Sequence, residues 1–292
     1  FINSYMPELP EVEVVRRSLN DFISGSIINK VRIFDKNLRY RISNKLKQTI
    51  ENKKIISIMR RGKFILIEIQ GNSIIIIHLG MTGKILLKKK DNSTLLTSFY
   101  YQNKFKKKHN NFSFKLNNSI YLIYNDVRKF GFIKVIDKDQ IHLDKHISRL
   151  GPEPMSKEFN RNYFKLKSSK SKKSIKNFMM DQKYISGLGN IYVNEILFSS
   201  SINPRILSSR LSNHQILKII SNTKKTLKKA IQLGGSSIRD FNSISGQIGR
   251  FQEKFKVYDR PKKSCIRRKC AGIIKKIYIS NRSSFFCPKC QK

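Results

Sequence analysis

The chain has 292 residues and carries 60 Lys and Arg against 19 Asp and Glu, a formal charge of +41. Such a chain repels itself and attracts polyanions. Its length allows two domains of ordinary size, and its 39% hydrophobic content excludes a disordered chain. The longest aliphatic run, Ile74–Ile77, ends at His78, far short of the roughly 18 apolar residues of a membrane helix. Neither a membrane span nor a secretory signal is read.

Abundant Lys, Ile, Asn and Ser fit an AT-rich genome. That bias inflates the lysines but does not explain the scarcity of acids. Nucleic acid is therefore the expected partner class, because each phosphate contact releases counterions.

The first predicted element is a helix. Pro10, Glu11 and Glu13 suit a first turn, with proline early and acids at the positive end of the dipole. Val12, Val15, Leu19, Phe22 and Ile23 form one apolar face at helical spacing. From about Ile27 to Ile136 the pattern changes to short β-branched runs: Lys63–Ile69, Ser73–Leu79, Phe112–Leu116, Ser119–Tyr124 and Gly131–Ile136. Gly71-Asn72, Gly83 and Asn117-Asn118 punctuate them as turns. This segment reads as a β-sandwich, with a long Lys- and Asn-rich loop at 88–111.

From about Asp137 the pattern becomes helical, with candidates at 189–200 and 212–233. The second places Ile216, Ile219, Ile220, Thr223, Leu227 and Ile231 at helical spacing. The Lys/Ser run from Lys165 to Lys176 reads as a solvated linker or a helix end. There is no internal repeat.

All four cysteines lie near the C-terminus as Cys265-x4-Cys270-x16-Cys287-x2-Cys290. Two close thiolate pairs about 15–20 residues apart fit a tetrahedral structural zinc site. Ile273, Ile277 and Ile279 alternate between the pairs and suit a hairpin that folds both pairs onto one ion. Four thiolates leave no open coordination position, so the site is structural. The alternatives are two disulfides or free thiols.

Met6-Pro7-Glu8-Leu9-Pro10-Glu11-Val12-Glu13 resembles the N-terminal signature of the formamidopyrimidine-DNA glycosylases. The resemblance continues in order through Arg60-Arg61-Gly62-Lys63, His78-Leu79-Gly80-Met81-Thr82-Gly83 and Asn125-Asp126-Val127-Arg128-Lys129-Phe130-Gly131. It runs on through Leu150-Gly151-Pro152-Glu153-Pro154, Asp181-Gln182, Gly187-Leu188-Gly189-Asn190-Ile191-Tyr192 and Gly234-Gly235-Ser236-Ser237 to the cysteine finger.

The resemblance implies a base-excision repair enzyme that removes oxidised purines from damaged double-stranded DNA and then cuts the strand as an abasic-site lyase. The implied fold is α+β: an N-terminal catalytic β-sandwich domain with flanking helices (1–137), a helical helix–two-turn–helix domain (138–254) and a β-hairpin four-cysteine zinc finger (255–292). One structural Zn2+, no organic cofactor, a monomer and a cytoplasmic, nucleoid-associated location are expected.

By the same resemblance Pro7 is the nucleophile, Glu8 the acid that protonates the sugar ring oxygen, and Lys63 the essential lysine near the phosphate. A terminal proline amine suits this role because its pKa lies near the α-amino range of about 7.7–8.0. Met81, Arg128 and Phe130 match the residues that fill the space left by a flipped nucleotide. Asn190 and Tyr192 are carried over as DNA contacts at the helix–two-turn–helix turn, as is His109. Arg282 matches an arginine that grips phosphate and serves the second elimination. Glu11 and Glu195 match acids that organise the pocket, and Ser236–Phe251 is the implied recognition loop.

Three features depart from the pattern. Residues 1–6 precede Pro7, so translation is expected to begin at Met6 and Met6 to be removed. The first cysteine pair has four intervening residues instead of two. Ser171 stands where a basic DNA contact is common, which shifts that contact to Lys170 or Lys172. The readings set against this one are an endonuclease VIII-type enzyme for oxidised pyrimidines, a non-catalytic zinc-containing DNA-binding protein, and an RNA-binding ribosome-associated protein. Leu9 and the Arg128-x-Phe130 pair favour the purine enzyme over the first.

Overall fold

A computed structural model describes residues 6–91, 93–95, 106–236 and 250–292. The chain divides into two compact units. One comprises Phe1–Ser148 with Leu233–Arg250, the other Arg149–Gln232 with Phe251–Lys292.

The first unit opens with helix α1 (Leu9–Ile23). Val12, Val15, Leu19 and Ile23 are buried as its spacing requires, whereas Phe22 is exposed. Strand β1 (Ile27–Ile33) and the short helix α2 (Lys45–Ile50) follow, then β2 (Lys53–Arg61), β3 (Phe64–Ile69), β4 (Ser73–His78) and β5 (Lys84–Lys88). After the short β6 (Thr94–Leu95) come a 3-10 turn at Lys107–His109, β7 (Asn110–Leu116), β8 (Tyr121–Asn125) and β9 (Phe132–Asp137).

The strand order is β6-β5-β8-β7-β1-β2-β3-β4-β9, with antiparallel neighbours throughout. The β1–β2 link is only two residue pairs long, Ile27 with Lys54 and Ile28 with Lys53. That narrow link lets the two halves fold onto each other as a sandwich. The buried layer holds Ile65, Ile67, Ile75 and Ile77 from β3 and β4 together with Ile85, Leu87, Phe112, Phe114, Leu122 and Tyr124 from the other half. A smaller apolar cluster of Leu66, Ile74, Ile76 and Phe132 covers the outer face of β3, β4 and β9. Both faces of β3 and β4 are thus covered, which is why those strands read as continuous apolar runs and not as alternation.

The second unit contains α3 (Arg161–Ser169), α4 (Ile175–Met180), α5 (Asn190–Ser200) and α6 (Asn213–Gln232), and ends in the hairpin β10 (Lys275–Ile279) and β11 (Arg282–Phe286). Helix α5 is buried nearly all round, as expected of a central helix without a polar face. Helix α6 buries Ile216, Ile219, Thr223, Leu227 and Ala230.

Of its two readings, the Lys165–Lys176 run is a helix end and not a solvated linker. It holds the C-terminal end of α3, from Lys165 to Ser169, and the start of α4, and Lys176 is fully buried. The 88–111 segment contains β6, the 3-10 turn and the start of β7, with residues 92 and 96–105 outside the described residues. Among the described residues no helix is long and apolar enough to cross a membrane.

Candidate functional site

At the start of α1, Pro7, Glu8, Leu9 and Pro10 are all buried. Glu8 and Glu11 form a capping box, with the Glu8 N–H donating to Glu11 Oε2 at 3.0 Å. This satisfies helix N–H groups that would otherwise be orphaned. The other oxygen of Glu11 accepts the Ser236 N–H at 2.8 Å and the Ser236 hydroxyl at 3.0 Å. Glu11, 3% exposed, therefore fastens the helix start to the Gly234–Ser236 turn. Gly235 is needed in that turn: its φ is +80°, and a Cβ there would lie 3.0 Å from Glu11 Oε1.

One and a half turns along α1, Glu13 bonds Arg16 (3.0 Å), Arg17 (2.9 Å) and Arg60 (3.1 Å). Burial would raise its pKa, but the guanidinium hydrogen bonds and charges of Arg17, Arg16 and Arg60 outweigh it and hold the carboxyl low. Arg60 also donates to Gly62 O at 2.9 Å. Gly62 and Lys63 form the two-residue turn between β2 and β3, since Arg61 pairs with Phe64. Gly62 takes the positive φ (57°) such a turn demands. Arg60 thereby anchors the Lys63 turn to helix α1, which starts two residues after Pro7.

Two further turns of this unit present side chains outward. Residues 79–83 carry a half-buried Met81, and residues 126–131 carry exposed Arg128 and Phe130. Phe130 is 45% exposed, with the Arg128 guanidinium 4.6 Å from its ring centroid. These positions are surface tips, not core. The turns touch through their backbones: a Cβ on Gly80 would sit 2.4 Å from the Gly131 nitrogen.

His78 precedes the first turn, and its Nδ1 accepts the Gly80 N–H at 3.1 Å. Its pKa is pushed down to about 3 by burial and by the charges of Lys63, Arg39 and His146. His109, half-buried, ends the 3-10 turn. Its carbonyl accepts the Asp126 N–H at 3.1 Å.

In the second unit a tight loop precedes α5. Gln182 holds it: its Nε2 donates to Leu188 O (2.7 Å) and Met180 O (3.0 Å), and its Oε1 accepts the Gly187 N–H (2.7 Å). Gly187 has φ +83°. Gly189 is the N-cap of α5, so the first N–H groups of an 11-residue helix open at Asn190, a setting that favours anions.

The finger hairpin turns at Ser280 and Asn281, both at positive φ (47° and 60°), the conformation of a two-residue hairpin turn. Arg282, exposed, lies just beyond it. The hairpin is docked by side chains from α4 and α5. Lys176 Nζ donates to Ser283 O (2.8 Å) and Ser284 Oγ (2.5 Å), and Asn194 Oδ1 accepts the Phe285 N–H (2.7 Å).

The four cysteines are free thiols whose Sγ atoms all lie within 4.8 Å of one another. Cys265–Cys290 and Cys270–Cys287 are separated by 3.8 and 3.7 Å. Sulfurs bound tetrahedrally at about 2.3 Å from one ion stand about 3.8 Å apart, so the donor set has the size and chemistry of a metal site. Burial pushes the Cys265 and Cys290 thiols up, the penalty that a cation at the centre would remove.

Comparison with known proteins agrees along the chain. The formamidopyrimidine-DNA glycosylase N-terminal domain matches residues 6–133, and the H2TH domain of the same enzymes matches residues 150–242. The formamidopyrimidine-DNA glycosylase of Dinoroseobacter shibae is 35% identical over 98% of this chain and its own full length. The chain belongs to the formamidopyrimidine-DNA glycosylase family.

Among solved family members, a complex of the Lactococcus lactis enzyme with DNA containing an abasic site is similar at a TM-score of 0.85. It is 35% identical and covers 98% of this chain and 99% of its own. A complex of MutM with DNA carrying a carbocyclic 8-oxo-G gives a TM-score of 0.84 at 35% identity, over 98% of this chain and all of its own.

Among the family positions, Lys170 and Lys172 are exposed beside a buried Ser171, whose Oγ accepts the Lys173 N–H. Tyr192 departs from expectation. It is fully buried against Phe251 at 5.4 Å, because α5 runs through the core, and it presents no surface to DNA. Glu195 is also buried, and its carboxylate accepts the N–H groups of Lys256, Val257 and Tyr258 at 2.9–3.1 Å. Burial raises its pKa against those bonds.

The recognition loop at 236–251 lies, apart from its ends, outside the described residues, as do residues 1–5. Sequence reasoning assigned no role to Asp126, Lys176 or Asn194. Asp126 lay inside a quoted motif, while the partners of Lys176 and Asn194 are 91 to 108 residues away and leave no local signal.

Proposed function

We propose that this chain removes oxidised purines such as 8-oxoguanine and formamidopyrimidines from duplex DNA and cleaves the resulting abasic site, with Pro7 as nucleophile. The observation that carries the reading is the Glu13–Arg60–Gly62 tie, which fixes the Lys63 turn against helix α1, just beyond Pro7. Nucleophile, acid and phosphate-binding lysine then belong to one rigid set, as positional catalysis needs.

The Pro7 amine exists once the residues before it, Met6 included, are absent from the active protein. Its lone pair forms a bond to the sugar C1′, and the base departs with the electrons of the glycosidic bond. The nitrogen loses its proton, the departing base takes one up, and Glu8 delivers a proton to the ring oxygen as the C1′–O4′ bond breaks, leaving an iminium. The iminium is the electron sink for loss of a C2′ proton, and the 3′ phosphate leaves. A second elimination, served by Arg282, releases the 5′ phosphate. Lys63 holds the phosphate beside the sugar.

Met81, Arg128 and Phe130 occupy the stack after the nucleotide is flipped. The start of α5 at Asn190, with His109, Lys170 and Lys172, fixes the backbone. The metal is Zn2+, held by Cys265, Cys270, Cys287 and Cys290, with a structural role. The organisation proposed is a catalytic segment 1–137, a DNA-binding segment 138–254 and a finger 255–292.

Duplexes containing either 8-oxoguanine opposite cytosine or an oxidised pyrimidine opposite its partner test the substrate class. The reading expects faster cutting of the first, with phosphate left at both ends of the gap. Faster cutting of the second, or binding without cutting, overturns it.

A further inference from the structure

Asp126 is completely buried, and its carboxylate is reached by donors from two different turns. Oδ1 accepts the Thr82 hydroxyl at 2.5 Å and the Arg128 N–H at 3.2 Å. Oδ2 accepts the Gly131 N–H at 2.8 Å. The Tyr124 hydroxyl lies 3.5 Å from Oδ2 and 3.1 Å from His78 O. Thr82 Oγ1 in turn accepts the Arg128 N–H at 3.1 Å.

The donors come from both turns, Thr82 from 79–83 and Arg128 and Gly131 from 126–131. A carboxylate suits this place because it offers acceptor sites only, on two oxygens. An amide of the same shape would turn an NH2 group toward either the Arg128 or the Gly131 N–H.

We propose that Asp126 is a positioning residue that locks the Met81 turn to the Arg128–Phe130 turn, so that the three side chains enter the DNA stack as one preset wedge. The proposal rests on the reading of Met81, Arg128 and Phe130 as the residues that replace a flipped nucleotide. Two turns that move separately would have to be ordered during insertion, and that ordering costs free energy at the step that opens the helix. Asp126 touches no reacting atom, so its effect falls on duplex substrates, where a stack must be filled, and not on the chemistry at Pro7.

The test compares two substrates for each variant: duplex DNA with 8-oxoguanine opposite cytosine, and single-stranded DNA with a ready-made abasic site, which has no opposite base to replace. Asp126→Asn is expected to slow duplex excision by about tenfold or more, the scale of a lost buried hydrogen bond, while single-strand cleavage stays within about twofold. Thr82→Val removes the hydroxyl donor and is expected to act in the same direction. Thr82→Ser restores the donor and should recover the duplex rate.

Should Asp126→Asn fail to fold, the Thr82→Val and Thr82→Ser pair carries the test alone. Equal losses on both substrates, or no loss on the duplex, would overturn the coupling. Inactivity of the unmodified protein on both substrates would instead overturn the functional reading, and it appears before any variant is made.

Discussion

The paired turns of the first unit and the hairpin finger of the second both carry an arginine at a tight turn, Arg128 within one and Arg282 just beyond the other. They are held in different ways. The paired turns are held by the protein alone: Asp126 collects donors from both, and Gly80 and Gly131 let the backbones meet. The finger has the donor set of a metal site. Its hairpin is docked by Lys176 and Asn194, but its root is four buried or half-buried cysteines within 4.8 Å of one another, a donor set that a bound cation would hold together as thiolates. A surface built on hydrogen bonds should tolerate chelators and fail on a change of shape, whereas a metal-rooted one should do the reverse.

Metal removal should have the largest effect. A strong chelator, or Cys287→Ser, is expected to abolish DNA cleavage and weaken DNA binding at least about a hundredfold, because metal-binding energy is folding energy in such fingers. Gel-shift titration with and without added Zn2+ measures it. Recovery with Zn2+ is the expected outcome, and full binding without metal would remove the distinction between the two regions.

Next comes Gly131→Ala. Its Cβ would lie 1.7 Å from the Tyr124 hydroxyl and 2.6 Å from His78 O. An overpacked site of this kind costs about 1–3 kcal/mol, read as a lower denaturation midpoint with the Zn2+ content unchanged.

The smallest effect concerns His78. The folded protein keeps this side chain neutral down to about pH 3, while in the unfolded chain it binds a proton near pH 6.5. Unfolding therefore takes up a proton below about pH 6.5, and stability falls progressively from there toward pH 3. Between pH 6.5 and 5, above the usual carboxylate range, His78→Gln should show a shallower decline in melting temperature than the unmodified chain. An identical slope would exclude His78 as its source.

The sequence carried the chemistry of these regions better than their mechanics. The cysteine spacing is legible because a tetrahedral site tolerates few arrangements, and the Pro7–Glu13 segment because helix starts follow local rules. The strong runs in β3 and β4 were visible, with both faces covered. Strand β1, with its burial broken by exposed Asn29, Lys30 and Arg32, gave no such pattern. Lys176 reads as part of a solvated linker or a helix end because its partners, Ser283 and Ser284, are more than a hundred residues away in sequence. Tyr192 read as a DNA contact because motif position says nothing of which helix face is buried. Asp126 stood inside a recognisable motif, yet its role depends on Thr82, 44 residues earlier.

The central claim is that the Pro7 amine performs the chemistry. It is tested most directly by preparing the chain from Phe1 and from Pro7, confirming each N-terminus by mass spectrometry, and trapping each with borohydride on duplex DNA containing 8-oxoguanine opposite cytosine. The account predicts a covalent protein–DNA adduct from the Pro7 form alone, with the adduct mapped to Pro7. Equal adducts from both confirmed forms would assign the amine elsewhere, Lys63 first, and no adduct from either with DNA binding intact would contradict the enzymatic reading.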